Sequence, residues 1–255
     1  MTYPIDDNYT DITQEKGGTP AMKGRNLKLA IVLAALALSL FAASVASATP
    51  EPIKLRIEGA TRTIFEGTIK TEGHMVTTQS GGTHKCDGTN HGANPTPGPT
   101  PTAALDTAAA KDGFTWNGTW FESFEDYGVS RIAETEQTSS EFWGVLINYQ
   151  FTELGGCQQI VHPHEEVLWA FNAFDAAHFL KLKKGKRGSN TVRVTDGMSG
   201  EPIEGATVGP INNGPGATTN AQGEATVTFS TPGKHRVKAE RSDSIRSNAV
   251  VITTS

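Results

Sequence analysis

Cysteine is scarce in this chain: Cys86 and Cys157 are the only two among 255 residues. Two cysteines are too few to scaffold a small disulfide-rich domain, so a core of apolar side chains must do most of the folding. The excess of acidic over basic residues is also small, since the formal net charge at pH 7 is −5. Without a large basic region the chain is not expected to bind nucleic acid.

Familiar catalytic motifs are missing as well. Beyond residue 48 there is no G-x-S-x-G, no H-E-x-x-H and no glycine loop of the phosphate-binding kind. Glu122, Glu125 and Asp126 lie close together near aromatic residues, as the carboxylates of a glycosidase would. Such groups also arise by chance where acidic residues occur every few positions. We therefore predict no enzymatic activity, with a glycan-active enzyme as the least favoured alternative.

One long run of uncharged, mostly apolar residues is present, from residue 29 to residue 45. It follows a short basic stretch at residues 23–28 and ends in small residues up to Ala48, which is the layout of a secretory signal. The alternative is an uncleaved anchor helix, but a run of this length is at the short limit for crossing a membrane. We predict a secreted, extracellular protein with a signal peptide at residues 22–48. Residues 1–21 are interpreted as an extension upstream of the true start.

Residues 53–182 predict a first domain that mixes strands with one helix. Its first strand begins at Ile53, where apolar and charged residues alternate. Residues 73–102 show no apolar periodicity and predict a long loop, which ends at a helix capped by Thr102 and terminated at Gly113. Strand-like runs follow, "FWGVLINYQF", "EEVLWAFNAF" and "HFLKL".

The last part of the chain has a different character. Residues 183–190 are basic and contain glycine, which is typical of a linker. Residues 191–255 have no helical pattern, and their short alternating strands are separated by Gly, Pro, Asn and Asp. This pattern predicts a small all-β, Ig-like sandwich.

Both cysteines lie near histidines, in "HKCDGTNH" at 84–91 and "CQQIVHPH" at 157–164. A cysteine and histidine cluster suits zinc, but two lone cysteines in an exported protein usually oxidise together, and a disulfide sulfur does not bind zinc. We predict a Cys86–Cys157 disulfide that contributes about 4 kcal/mol by closing a long loop. A metal site remains the alternative, with the ligands His84, His91, His162 and His164.

Aromatic residues are dense between residues 114 and 171. Exposed Trp and Tyr side chains often hold sugars or flat ligands. Trp120, Trp143 and Tyr149 are the candidate ligand-binding residues, and Trp120 and Tyr149 are the expected exposed pair because they lie in predicted loops. The alternative is that these rings simply fill the core.

Several stretches of residues 53–182 are similar to a known family: "TAALDTAAAKDGF", "FEDYGVSRI", "FWGVLINYQF" and "VHPHEEVLWAF". They resemble secreted domains of unknown function named for their similarity to the C-terminal domain of transcobalamin and intrinsic factor. The resemblance implies an α+β, β-grasp-like fold, with one helix across a mostly antiparallel sheet. Asn148-Tyr149 stands where the family usually has Asn-Gly, so we expect a different or longer turn. The resemblance also suggests weak binding of cobalamin or another small flat ligand.

The C-terminal stretches "VTDGMSGEPIEGATV" and "TTNAQGEATVTFSTPGKHRVKAER" resemble bacterial Ig-like or carboxypeptidase-regulatory-like modules. Such modules usually serve as spacers. The complete prediction is an α+β domain followed by an Ig-like sandwich, in a secreted, non-catalytic protein that binds or is presented at the cell exterior. The expected partner is a surface glycan or protein, and membrane contact is expected only through the N-terminal segment if that is not cleaved.

The signal peptide makes a direct prediction about the exported product. If the peptidase cuts after Ala48, as the small residues before it favour, the mature chain begins at Thr49. N-terminal sequencing of the secreted protein checks this. A first residue upstream of Thr49 would contradict the predicted cleavage.

Overall fold

The computed structural model of the protein describes residues 49–92, 94–185, 190–211 and 215–254. The predicted signal peptide and the extension before it lie outside these residues, as does the middle of the predicted linker. Within the described ranges, no helix has the length and apolar character needed to cross a membrane.

Strands dominate the described residues, which contain a single α-helix, α1 (Pro101–Asp112). The first ten strands are β1 (Glu51–Glu58), β2 (Thr63–Thr71), β3 (His74–Thr78), β4 (Gly82–Cys86), β5 (Trp116–Phe121), β6 (Asp126–Ile132), β7 (Thr135–Glu136), β8 (Trp143–Ile147), β9 (Gln150–Phe151) and β10 (Glu166–Phe171). The others are β11 (His178–Lys184), β12 (Thr191–Asp196), β13 (Thr207–Pro210), β14 (Ala217–Thr218), β15 (Glu224–Thr226), β16 (Gly233–Glu240), β17 (Ser244–Ile245) and β18 (Val250–Thr254).

These strands form five sheets. The largest has the order β2-β1-β10-β8-β9, and its central pair β1 and β10 is parallel while its other neighbours are antiparallel. Strands β3 and β4 form a hairpin of their own, and β5, β6 and β7 form a three-stranded sheet. Two four-stranded sheets complete the fold, with the orders β15-β12-β11-β17 and β14-β13-β16-β18.

The predicted α+β, β-grasp-like fold class is therefore wrong. The described chain is mostly β, and its strands are distributed over several small sheets rather than one sheet crossed by a helix. Residues 73–102 contain the hairpin β3–β4, although they were predicted to be a loop. The hairpin is rich in Thr and Gly and buries only Val76, Thr78 and Cys86, so it carries no apolar alternation that sequence reasoning could detect.

Helix α1 begins two residues earlier than predicted. The Thr100 hydroxyl accepts a hydrogen bond from the Ala103 N–H at 3.1 Å, and Pro101 occupies the first helical turn. Thr102, the predicted cap, is instead buried within that turn. The helix ends as predicted, because Gly113 adopts a left-handed φ of 77° and its N–H donates to the Ala109 carbonyl.

The side chains of strand β1 are buried on both faces of the five-stranded sheet. Ile53, Leu55 and Ile57 point into the larger apolar core, which also contains Leu105 of α1 and Cys157. The alternation of apolar and charged residues predicted this strand correctly. The charged face is buried as well, however, since Arg56 and Glu58 are each only 1% exposed.

The two four-stranded sheets share one apolar cluster, which includes Leu182, Val194, Val208, Val237 and Ile252. They form a β-sandwich. Its strand β11 pairs with β12 and β17, although residues 178–182 were assigned to the first domain. Lys183 and Lys184, assigned to the linker, also belong to β11. The predicted domain limits stay a prediction.

A buried ion network joins β1 and β2 to the sandwich. The Glu58 carboxylate accepts hydrogen bonds from Lys238 Nζ at 2.6 Å and from Arg246 Nε at 2.9 Å. Glu66 Oε2 lies 3.2 Å from the same Lys238 ammonium, and Arg56 pairs with Glu166 at 3.2 Å. Since each buried charge has an opposite partner, removing one member leaves the others uncompensated.

An apolar contact lies on the same face of the sheet. Leu146 of β8 and Leu168 and Ala170 of β10 pack in one cluster with Phe179 of β11. The charged network and this cluster together fix the sandwich against the five-stranded sheet. The sandwich is thus packed directly on the first part of the fold.

We predict that Glu58→Gln lowers the free energy of unfolding by about 3 kcal/mol, because the substitution leaves buried cations without their carboxylate. Glu134→Gln is the matched control, since Glu134 pairs with Arg62 at the surface and should lose at most about 1 kcal/mol. Urea unfolding of both variants measures the difference. Equal, small losses would contradict a structural role for the network.

Candidate binding site

The turn between β5 and β6 presents aromatic side chains to solvent. Phe121 ends β5, and a short 3-10 turn, Glu122–Phe124, leads to Glu125 at a φ of 44°. Phe121 and Phe124 are 49% and 67% exposed. Leu154, on the loop after β9, is also exposed and lines the same cleft. We call Trp120, Phe121, Phe124 and Leu154 the aromatic tip.

The Trp120 side chain packs against the rings of His84 and Tyr127. The His84 imidazole stacks on its indole with the ring centroids 4.0 Å apart and an interplanar angle of 5°. Tyr127 contacts the indole edge-on at 4.9 Å, and its hydroxyl lies within hydrogen-bonding distance of the Val76 and Gly82 carbonyls. This stack ties the β5–β6 turn to the hairpin β3–β4.

Asp126 ties the same turn to a second loop. Its carboxylate accepts hydrogen bonds from the Gly156 N–H at 2.7 Å and the Cys157 N–H at 2.8 Å. Burial raises the pKa of Asp126 to about 6, although the N–H groups of Cys157, Tyr127 and Gly156 act in the opposite direction. Asp126 therefore positions the loop that carries Cys157.

The predicted disulfide is confirmed: Cys86 at the end of β4 is bonded to Cys157. Both residues are fully buried in the larger core. The Gly88 N–H donates to the Cys157 carbonyl at 3.0 Å, and the Gly98 N–H donates to the Asp87 carbonyl at 2.9 Å. The Pro-rich stretch after Cys86 is thus held by a covalent bond and by backbone hydrogen bonds.

Ile160 explains why glycine occupies both ends of that stretch. A Cβ added at Gly88 would lie 2.1 Å from Ile160 Cδ1, and one added at Gly98 would lie 3.0 Å from the same atom. Gly88 also has a left-handed φ of 75°, a conformation that side chains disfavour. The Pro-rich stretch can therefore pack closely over Ile160.

An open cleft of about 350 Å³ lies beside the aromatic tip. Its walls include Phe121, Phe124, Leu154, Asp126 and Glu153. This volume is at the lower end of the range for small-molecule sites. Apolar rings beside carboxylates suit the binding of a ligand or of a protruding side chain.

The three carboxylates that suggested a glycosidase site accept hydrogen bonds from different donors. Glu122 accepts from Trp120 Nε1 at 2.7 Å, and Glu125 accepts from the His91 N–H at 2.9 Å. Asp126 accepts from the two loop N–H groups described above. Each carboxylate thus supports the local structure.

Trp143 and Tyr149 do not join Trp120. Trp143 is buried in the larger core, where it packs edge-on against Phe171 with the ring centroids 5.5 Å apart. Tyr149 is only 2% exposed, so its expected exposure is wrong. The Lys181 ammonium lies 4.8 Å from its ring centroid, where the sheet meets the sandwich.

Tyr149 lies in the turn between β8 and β9, and its ring packs in the same apolar cluster as Phe179 of the sandwich. Ile147 pairs with Gln150, so the turn has two residues, and the expectation of a longer turn is wrong. Asn148 and Tyr149 have φ values of 50° and 67°, which a Gly would adopt with less strain. The ring of Tyr149 contacts two cations, because Arg56 also lies 5.4 Å from its centroid.

The candidate metal ligands do not come together. His84 lies in the Trp120 stack, whereas His91 is exposed with its Nε2 atom 3.6 Å from Glu125. His162 and His164 are exposed on the loop before β10. Across the described ranges, no group of three or more His, Cys, Asp or Glu side chains is arranged to hold a metal ion.

Phe124 and Leu154 are the residues that sequence reasoning did not single out. Phe121 and Phe124 stood among many aromatic residues of the same stretch, and nothing in the pattern separated exposed rings from core rings. The available signal was the sequence "FESFED", in which two Phe residues are interspersed with three acidic residues.

Comparison with protein-family models finds no match, and comparison with curated proteins finds none either. The resemblance to the transcobalamin-related domains and to the Ig-like modules stays a prediction.

The raised pKa of Asp126 predicts a pH dependence of stability. Between the ordinary value of 3.8 and the folded value of about 6, the folded state binds more protons than the unfolded state. The contribution of Asp126 is therefore complete below about pH 4 and is lost as the pH rises through about 6. Relative to Asp126→Asn, the parent should lose up to roughly 3 kcal/mol between about pH 4 and pH 7.

Urea unfolding of both proteins across this pH range makes the measurement, because titrations that the two proteins share cancel in the difference. A difference that stays constant with pH would show that Asp126 titrates at the same pH in the folded and unfolded chains.

Proposed function

We propose that this chain is an exported, non-catalytic protein that binds a partner at the cell exterior through the aromatic tip. The observation that carries the proposal is the exposure of Phe121 and Phe124 on a turn that is anchored on two sides. Large apolar side chains that remain exposed together in a folded protein commonly mark an interaction site.

The anchoring supports binding as well as exposure. A site on a mobile loop must be ordered when the partner binds, which weakens affinity. Here the Trp120–His84 stack and the Asp126 hydrogen bonds hold the turn before any partner arrives. The tip is therefore preorganised.

The sandwich is proposed to act as a rigid spacer. Lys238 and Arg246 of the sandwich share the Glu58 carboxylate of β1. Because this contact is buried, the sandwich and the tip keep a fixed orientation. The aromatic tip would then be presented to a partner at the cell exterior in a fixed orientation relative to the sandwich.

The expected partners are a surface glycan or a surface protein, since aromatic side chains support both kinds of contact. A small flat ligand is the second candidate, favoured by the cleft beside Phe121 and Phe124. Absorbance titration with cobalamin tests that candidate: a spectrum and a thermal midpoint that do not change would reject it, because a ligand selective for the folded state raises stability.

We predict that Phe124→Ser weakens binding by about tenfold or more on arrays of glycans and extracellular proteins, because a central aromatic contact is removed. Phe174→Ser is the matched control. Phe174 is 64% exposed, but it stacks on Phe151 and lies outside the aromatic tip. Its loss should change binding less than about twofold. Equal binding by parent and Phe124→Ser would contradict the proposed site.

A further inference from the structure

We infer that the partner of the aromatic tip is cationic: a polypeptide segment that carries Lys or Arg beside an apolar side chain. The inference rests on the proposed function, because it concerns the same surface. It adds the chemical class of the partner.

The first argument is the distribution of charge along the chain. Residues 112–180 contain a single Lys or Arg, which is Arg131. The same stretch contains eleven acidic residues, namely Asp112, Glu122, Glu125, Asp126, Glu134, Glu136, Glu141, Glu153, Glu165, Glu166 and Asp175. Since the net charge of the whole chain is only −5, negative charge is concentrated in the part of the chain that carries the tip.

The second argument is that three acidic groups beside the tip form no ion pair with Lys or Arg. Glu134 and Glu166 are neutralised by arginines from elsewhere in the chain. Within the part of the chain that the structure describes, Glu122, Asp126 and Glu153 form no ion pair with Lys or Arg.

The cleft beside the tip has the same character. Asp126 and Glu153 are among the residues that line it, and the described residues that line it include no Lys or Arg. Acidic residues without a Lys or Arg partner therefore line a space that a partner can enter. A partner with positive charge would gain Coulomb energy there, and an acidic one would be repelled.

The third argument is the combination of these charges with phenylalanine rings. A Lys or Arg placed over the face of an exposed ring is attracted by the negative charge of that face. The apolar stem of the same side chain can pack against Phe121, Phe124 or Leu154 while its charged end reaches a carboxylate. A neutral sugar would use the rings alone, and an anionic membrane or nucleic acid would be repelled.

The test uses the mature, disulfide-bonded chain and three fluorescein-labelled nine-residue peptides. In these peptides leucine alternates with arginine, with glutamine or with glutamate. The arginine peptide should bind at least about fivefold more tightly than the glutamine peptide, and the glutamate peptide should not bind measurably. Binding of the arginine peptide should weaken as NaCl is raised, because salt screens exposed charges.

Two matched pairs of variants locate the site. Glu153→Lys should weaken binding of the arginine peptide at least about fivefold, whereas Glu141→Lys should leave it nearly unchanged. Glu141 belongs to the same acidic stretch but does not line the cleft. Phe124→Ser should likewise weaken binding, and Phe174→Ser should not.

The outcomes separate this inference from the proposed function. Equal affinity for the arginine and glutamine peptides, with loss in Phe124→Ser, would overturn the cationic partner while binding at the tip stands. Equal weakening by Glu153→Lys and Glu141→Lys would show only general attraction to the acidic stretch, which also overturns it. If no peptide binds, the inference fails, and the arrays decide the proposed function independently.

Discussion

The buried carboxylate of Glu58 is the constraint on which the architecture depends. It lies on the face of β1 opposite the larger apolar core, and it receives Lys238 and Arg246 from the sandwich. A buried carboxylate must be compensated by opposite charge or by hydrogen bonds. If the sandwich moved away from this face, β1 would be exposed to solvent and Glu58 would lose its paired cations. The five-stranded sheet is consequently covered on both faces, by apolar side chains on one and by the network and Leu168 on the other.

A second set of contacts fixes the surface that faces outward. The Cys86–Cys157 disulfide holds β4 and the loop after β9 together, and Asp126 binds the backbone of that loop. The turn with Phe121 and Phe124 begins a few residues before Asp126, so it is held in place by the same contacts. A turn held in this way, with exposed rings beside the acidic residues Asp126 and Glu153, is suited to presenting a binding surface.

Local sequence patterns correctly predicted individual strands and helix ends. They could not predict which other parts of the chain pack against each element. The alternation in β1 and the left-handed Gly113 were correct, because each depends on neighbouring residues. The pairing of Cys86 with Cys157 was predicted from the expected export of the chain and from the absence of any other cysteine. The burial of Arg56 and Glu58 could not be predicted, because Lys238 is 180 positions away from Glu58. Tyr149 was missed for the same reason: a turn residue is expected at the surface unless another part of the chain covers it.

The central claim is that the first part of the fold and the sandwich behave as one rigid body joined through Glu58. Residues 46–255 form one compact unit, so this part of the chain should unfold in one cooperative transition. Differential scanning calorimetry measures this directly: the calorimetric enthalpy should equal the van't Hoff enthalpy. Two resolved transitions, with the sandwich unfolding independently of the disulfide-bonded part, would contradict the account.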